Sequence, residues 1–96
     1  MRLIDFNMST LPNKRFMVKF AEPYRVIHFG SRHMHTFIDH GDREIRHNHF
    51  LKQQHLFETG ELCDELLTTS ILWGPNRSVE GNLAWFLKRY RIEDSR

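Results

Sequence analysis

The chain has 96 residues, of which 40% are hydrophobic and 12% aromatic, a composition typical of one small globular domain rather than a disordered protein. Its formal net charge is only +2, from 14 Lys and Arg against 12 Asp and Glu, which lacks the strongly basic balance of a dedicated nucleic-acid-binding protein. The single cysteine, Cys63, excludes a disulfide within the chain and a zinc site built from several cysteines.

The N-terminal residues show no secretory signal sequence, because Asp5 and Asn7 interrupt the apolar run that one requires. No apolar run approaches the ~18 residues that would indicate a membrane-spanning helix. We therefore expect a soluble, intracellular protein.

Residues 1–12 are expected to form an extended N-terminal arm, since their apolar side chains recur without a clear period. An isolated apolar arm is unfavourable in water, so it should pack across its own domain or reach into a neighbouring molecule. Phe6 and Met8 are its candidate partner-binding residues. A chain lacking the arm should then fold but fail to assemble.

The next segment predicts a β-hairpin. In the stretch RFMVKF, Phe16, Val18 and Phe20 alternate with more polar neighbours, which is the period of a half-buried strand. The stretch YRVIHFG alternates in the same way, and the three residues AEP before it form a short turn. Gly30 ends the hairpin, and the residues TFI at 36–38 would add a short third strand.

The stretch FIDHGDREIRHNHF, residues 37–50, starts with a polar corner at the entrance to a helix. Asp39 can close a turn, and His40 can hydrogen-bond the backbone. Gly41 can adopt a positive φ, and the carboxylate of Asp42 can cap the helix that follows. The favoured interpretation of these four residues is structural, with pH sensitivity as a possible by-product of the histidines.

Three helices are predicted after this corner. The first runs from Arg43 to about Phe57 and ends at Gly60, the second covers residues 61–73, and Ser78 caps the third. The buried side of the first helix is expected to carry Ile45, His49, Phe50, Leu56 and Phe57. The predicted fold class is α+β, with a small antiparallel β-hairpin or three-stranded sheet followed by three helices packed on one face. Residues 13–92 would form this single domain, and residues 93–96 a polar tail.

The seven histidines could also indicate a metal site, in which His40, His47, His49 or His55 combines with an acid or with Cys63. However, His47 and His49 lie two apart on a predicted helix and point about 200° away from each other. No HExxH motif, nucleophile elbow or glycine-rich phosphate loop is present. We therefore expect a protein that is not an enzyme and that has no metal or cofactor.

Two surfaces are candidates for binding partners. Trp85 lies beside, rather than within, the apolar stripe of the third helix, and with Arg89 and Arg91 it is a candidate protein-binding site. The alternative is a nucleic-acid-binding module, whose affinity would fall steeply with salt. Its contacts would come from cations near the hairpin and the first helix, namely Lys14, Arg15, Arg25, Arg32, Arg43 and Arg46.

Three stretches of the chain together carry a family resemblance: NKRFMVKF, VIHFGSRHMHTFIDHGDREIRHNHF and TTSILWGPNRSVEGNLAWFLKRYRI. They resemble a small domain of unknown function encoded by large nucleocytoplasmic DNA viruses, with related sequences in some phages. The resemblance covers residues 13–92, and this chain departs from it at His49, where the family has an aromatic residue. The matching positions are Lys14, Arg15, Phe29, Gly30, Phe37, His40, Asp42, Arg46, Leu72, Trp73, Ser78, Arg89 and Tyr90.

The resemblance implies a viral context but no established activity. Together with the near-neutral charge and the absence of a catalytic motif, it favours a structural component of a virus particle, a minor capsid or core protein. Its partners would be other virion proteins or further copies of itself, with nucleic acid as the alternative partner. It would be found in the virion, and in the host cell cytoplasm during assembly.

Overall fold

The computed structural model describes all of the chain, Met1–Arg96, as an α+β fold built on one mixed sheet of four strands. The strands are β1 (Arg2–Met8), β2 (Lys14–Ala21), β3 (Arg25–Ser31) and β4 (Glu93–Asp94). Their order in the sheet is β3-β2-β1-β4, with β4 parallel to β1 and the other neighbours antiparallel. The predicted α+β class is confirmed, but the sheet has more strands than predicted.

The predicted hairpin is present as β2 and β3. Phe16 pairs with Phe29 and Val18 pairs with Ile27, so the apolar residues of both strands lie on one face of the sheet. That face is buried beneath the helices, where the side chains of Val18 and Phe29 are completely inaccessible to solvent. The alternation of the sequence therefore predicted the two strands, and their register in the structure turns the apolar residues of both toward a common core.

The N-terminal segment packs against its own domain, which is one of the two alternatives considered, but it does so as a strand of the sheet rather than as an extended arm outside residues 13–92. Residues 2–8 form β1, which lies between β2 and β4. A β-bulge between Leu3 and Asp5 breaks the alternation, and Leu3 and Phe6, three residues apart, both join the hydrophobic core. Because β1 is an inner strand and Leu3 is fully buried, a chain lacking residues 1–12 is not expected to keep this fold.

The C-terminal segment 93–96 is also part of the sheet rather than a free polar tail. Glu93 and Asp94 pair with the start of β1, and the backbone N–H of Ser95 donates to the carbonyl oxygen of Leu3 at 2.7 Å. The Arg96 guanidinium forms ion pairs with Glu80 and Asp94. The pairing with β1 joins residues about 90 positions apart in sequence, which no local pattern reveals.

Four α-helices follow the hairpin, where three were predicted. They are α1 (Phe37–His40), α2 (Arg43–Thr59), α3 (Asp64–Leu67) and α4 (Val79–Arg89), and a π-helical segment, Thr68–Leu72, continues α3. The residues TFI are not a strand, because Thr36 is the N-cap of α1. None of these helices is long and apolar enough to cross a membrane.

The inward stripe of α2 differs from the prediction at one position. His49, Phe50 and Phe57 are partly buried and Leu56 is buried, but Ile45 is 47% exposed. The partly buried residue at the start of the stripe is Arg46, which lies about 100° around the helix from Ile45. The sequence pattern favoured the apolar Ile45 for this position. Arg46 fits it because the long aliphatic part of the side chain packs against apolar neighbours while the guanidinium makes polar contacts.

The loop after the π-helical segment is held by a buried amide. Asn82, on α4, is completely buried and donates to the carbonyl oxygens of Ile71 (2.8 Å) and Asn76 (2.7 Å). Its own oxygen accepts from the backbone N–H of Asn76 at 2.8 Å. Gly74 lies so close that an added Cβ would be 2.3 Å from the carbonyl oxygen of Ser70 and 2.5 Å from Asn82. This packing sets the position of Trp73 against α2.

Candidate functional site

The polar corner predicted at residues 39–42 lies at the entrance to α2. Asp42 is the N-cap of that helix, and its carboxylate accepts from the backbone N–H groups of Glu44 (3.0 Å) and Ile45 (3.1 Å). Gly41 has a φ of +67°, a backbone conformation that favours glycine. The local backbone geometry therefore explains why Asp42 and Gly41 occupy these positions.

His40 has a structural environment as well. Its Nδ1 accepts from the backbone N–H of Asp42 at 2.8 Å, so the ring hydrogen of this tautomer lies on Nε2. Nε2 is buried without an oxygen or nitrogen partner, and the ring lies edge-on to Trp73 with 5.5 Å between centroids. His40 is therefore held by the backbone of the corner on one side of its ring and by packing against Trp73.

Asp39 connects the corner to the sheet. Both of its carboxylate oxygens accept from the Arg15 guanidinium, at 2.7 and 2.8 Å, and its carbonyl oxygen accepts from Arg77. The hydrogen bonds from Arg15 hold the pKa of the Asp39 carboxyl well below its usual range, against the opposing effect of burial. The corner therefore joins β2, α1 and the loop before α4, and has the geometry of a structural brace.

Arg46, another cation predicted to bind nucleic acid, points into the protein. Its Nε donates to the carbonyl oxygens of Trp73 (3.0 Å) and Gly74 (2.9 Å), and its guanidinium lies 4.3 Å from the centre of the Phe50 ring and 5.5 Å from that of Phe37. Burial, followed by repulsion from Arg43, lowers the pKa of Arg46. This side chain stabilises the contact between α2 and the loop that carries Trp73.

The remaining predicted nucleic-acid contacts divide into two groups. Lys14 pairs with Asp64, and Arg32 donates to the carbonyl oxygens of Lys14 and Ser9. Arg25 and Arg43 are exposed and form no ion pair. They lie at the start of β3 and the start of α2, and do not form a continuous basic stripe with the engaged cations.

The predicted partner-binding residues are also separated by the fold. Phe6 packs against Phe16 and Phe29 in the core, whereas Met8, at the end of β1, is exposed. Trp85 is partly buried, edge-on to Phe57 with 6.2 Å between ring centroids.

The two C-terminal cations of the predicted partner-binding set also differ in their surroundings. The Arg89 guanidinium lies over the rings of Phe57, Trp85 and Tyr90. Arg91 is exposed. Among the five predicted partner-binding residues, Met8 and Arg91 are therefore the ones most available to another molecule.

Sequence reasoning did not identify the main cleft of the protein, which has a volume of about 500 Å³. It opens between the N-terminal end of β2, the loop before α1, and helices α2 and α3. Only two of its twelve lining residues are hydrophobic. The polar and titratable side chains that define it are Lys14, His33, His35, His49, Asp64 and Thr68.

The floor of the cleft is a closed hydrogen-bond network. Thr68, the first residue of the π-helical segment, donates to one oxygen of Asp64 at 3.1 Å and accepts from the backbone N–H of Gly30 at 3.1 Å. The other oxygen of Asp64 accepts from the Lys14 ammonium. The carboxylate is thus neutralised by Lys14, and both of its oxygens are occupied.

His49 forms the inner wall of the cleft. Its ring stacks on Trp73 with 4.2 Å between centroids and 6° between planes, and its Nε2 is 3.2 Å from the hydroxyl of Thr69. Burial, followed by the positive charge of Lys52, lowers the pKa of His49. The neutral imidazole is therefore favoured at this position.

The cleft does not have the geometry of a metal centre. No group of three or more His, Cys, Asp or Glu side chains is arranged to hold a metal ion. The four histidines that the sequence suggested for a metal site do not converge in the structure. His47 and His55 lie on the exposed side of α2, whereas His49 faces inward. The one sequence signal that could have indicated the cleft is the Thr68–Thr69 pair, two β-branched hydroxyl residues within a predicted helix.

Comparison with known proteins adds a family but no activity. No curated protein and no solved structure matches the chain. The sequence profile described as "Family of unknown function (DUF5754)" matches residues 4–52, just over half of the chain, from β1 into α2. The chain therefore belongs to this family of unknown function, DUF5754.

Proposed function

We propose that this chain is a non-enzymatic structural component of a large DNA virus particle, a minor capsid or core protein that acts through protein–protein contacts. The viral context rests on the sequence resemblance of residues 13–92. The proposed action through protein–protein contacts rests on the large side chains that are exposed at the surface of the chain. Its partners would be other virion proteins or further copies of the chain, in the virion and in the host cell cytoplasm during assembly.

The observation that carries the proposal is the exposure of large side chains of interface type. Four of them are more than half exposed: Met8 at 70%, Tyr24 at 68%, Met34 at 65% and Leu51 at 55%. Methionine and tyrosine are enriched in protein–protein interfaces, and burial of their apolar area against a partner is favourable. They lie at four places, the end of β1, the turn between β2 and β3, the loop before α1, and α2, so each is a separate candidate contact for a partner.

The state of the cations supports the same proposal over nucleic-acid binding. Of the six cations predicted to contact nucleic acid, Lys14 and Arg15 are in ion pairs and Arg32 and Arg46 donate to backbone carbonyls. A phosphate backbone would have to compete with the internal partners of Arg15, Arg32 and Arg46, and Lys14 lies in a cleft rather than on an open face. Of the six, only Arg25 and Arg43 have no such partner, and they lie at the starts of two different elements rather than on a continuous basic surface.

The first experiment measures the copy number of the chain, relative to the major shell protein, in purified particles treated with nuclease and then stripped. A fixed simple ratio that stays with the shell or core supports the structural role. Loss of the chain together with the genome would instead favour the nucleic-acid-binding alternative. In that case the purified chain should bind DNA with an affinity that falls steeply between 50 and 200 mM salt.

Matched variants test whether the exposed apolar residues make the contacts. Met8→Glu and Leu51→Glu introduce a charge at an exposed apolar position, and Asn7→Glu and Asn48→Glu introduce the same charge at exposed polar positions nearby. We expect at least one of the first pair to lose incorporation into particles, while both controls are incorporated normally. Normal incorporation of all four variants would contradict the role assigned to the exposed apolar residues.

A further inference from the structure

The cleft has an excess of hydrogen-bond donors that the fold does not use. Lys14 has three N–H groups and donates one hydrogen bond, to Asp64. The side chains of Asn13, His33 and His35 line the cleft and make no hydrogen bond to another group of the protein. The one carboxylate there, Asp64, already accepts from Lys14 and Thr68. A ligand that fits this set must be rich in acceptors.

The floor of the cleft is built from an uncommon backbone geometry. Single π-helical turns within α-helices are rare and are found frequently at functional sites. Here the π-helical segment brings the hydroxyl of Thr68 to the cleft, where it bridges Asp64 to the backbone of Gly30. Thr69 is buried and borders an adjoining depression together with His49 and Glu65.

The charge of the cleft depends on the imidazoles of its outer wall. Lys14 of β2 and Asp64 of α3 neutralise each other, and His49 of α2 is held in its neutral form by burial. His33 and His35, on the loop before α1, are exposed, and protonation of both would give the cleft two positive charges. Glu65 of α3 adds a negative charge, but only at the adjoining side of the cleft beyond His49.

The geometry points to a binding site for a phosphate group, either free phosphate or the phosphate of a small monoester. A phosphate presents several acceptor oxygens and a negative charge, which match the free donors of Lys14, Asn13 and the two loop histidines. The volume of about 500 Å³ accommodates the phosphate with a small organic group attached. The proposal does not depend on the structural role, although Met34, one of the exposed apolar residues, also lines the cleft.

The test is a titration of the full chain with sulfate and with inorganic phosphate, monitored through backbone amide chemical shifts at constant ionic strength. Sulfate keeps its charge between pH 6 and 8, so any change in its affinity over that range reports on the protein. We expect saturable shifts at Gly30, Thr68 and the loop of His33 and His35, with tighter binding at pH 6 than at pH 8. The affinity for ribose 5-phosphate is then compared with that for inorganic phosphate, with ribose as the control that lacks a phosphate. A monoester site binds the ester more tightly than inorganic phosphate, whereas a site for the free ion does not.

Two double variants make the test specific. His33→Gln with His35→Gln changes two exposed side chains and should weaken sulfate binding by about tenfold or more at pH 6, since two charge-assisted bonds are lost. His47→Gln with His55→Gln removes the same number of histidines from the exposed side of α2 and should leave the affinity unchanged. The absence of saturable shifts at pH 6 would overturn the proposal. Equal weakening in both double variants would also overturn it, because binding would then follow net charge alone.

Discussion

Truncation of Trp73 tests the packing on which the description of the corner and of the cleft depends. The indole is only 8% exposed, stacks against His49 and meets the edge of His40. Its carbonyl oxygen accepts from Arg46, a backbone contact that a Trp73→Ala chain keeps. The substitution therefore removes the side-chain packing between α2 and the corner while leaving the local backbone bonds available.

The expected loss of stability follows from the buried area. A tryptophan buries roughly 150–250 Å², which at about 25 cal/mol per Å² corresponds to ~4–6 kcal/mol as an upper limit. Measured Trp→Ala changes in protein cores cost about 3–5 kcal/mol. We expect Trp73→Ala to lower the free energy of unfolding by a similar amount, a large part of the ~5–15 kcal/mol that stabilises a domain of this kind.

Urea denaturation followed by far-UV circular dichroism measures this loss. Trp85→Ala is the matched control, because Trp85 is only partly buried and should cost roughly 1–2 kcal/mol. A cost below about 1 kcal/mol for Trp73→Ala, or an equal cost for the two tryptophans, would refute the packing described for α2 and the corner.

Three further predictions concern single contacts. Asn82→Ala leaves the carbonyl oxygen of Ile71 without its partner and should lower the free energy of unfolding, measured by urea denaturation, by about 3 kcal/mol or more. A loss under about 1 kcal/mol would contradict the role of the Asn82 amide in holding the loop. Gly41→Ala should cost about 1–3 kcal/mol, because φ is +67° and the new Cβ would lie 2.9 Å from the Arg77 side chain; an unchanged midpoint would argue against that conformation. The lowered pKa of His49 means that its contribution to stability is fully present above about pH 6.5, the value for an unfolded histidine, and is lost as the pH falls through the folded pKa. Stability measured from pH 7.5 to 5 should therefore fall less in His49→Gln than in the unaltered chain, and parallel curves would show that this histidine is not responsible.

Local sequence signals predicted those elements whose cause lies within a few residues. The alternation in β2 and β3 indicated a hairpin, Asp42 and Ser78 indicated helix starts, and Gly60 indicated the end of α2; each is present in the structure. These features depend on side-chain periodicity and on capping of free backbone groups, which act over one or two turns of chain.

Other elements could not be read from the sequence because their partners lie far away in it. The bulge in β1 hid its strand character, and β4 exists only because two polar residues meet the start of β1 across the whole length of the chain. The predicted second helix changes to a π-helix at Thr68, where its residues contact the sheet and the loop before α4.

The candidate sites also divide into features that the sequence predicts and features that only the folded chain shows. Composition and motifs determined that the chain is a small α+β domain with histidines and arginines concentrated near the hairpin and the first long helix. They could not distinguish an arginine that faces solvent from one that supports the core, and only the folded chain places Arg15 against Asp39 and Arg46 against the carbonyl of Trp73. The cleft, likewise, collects side chains from positions 13 to 73, so its donors come together only through tertiary packing. Contacts between residues distant in sequence depend on how the helices settle on the sheet, and a single sequence carries no local pattern for that arrangement.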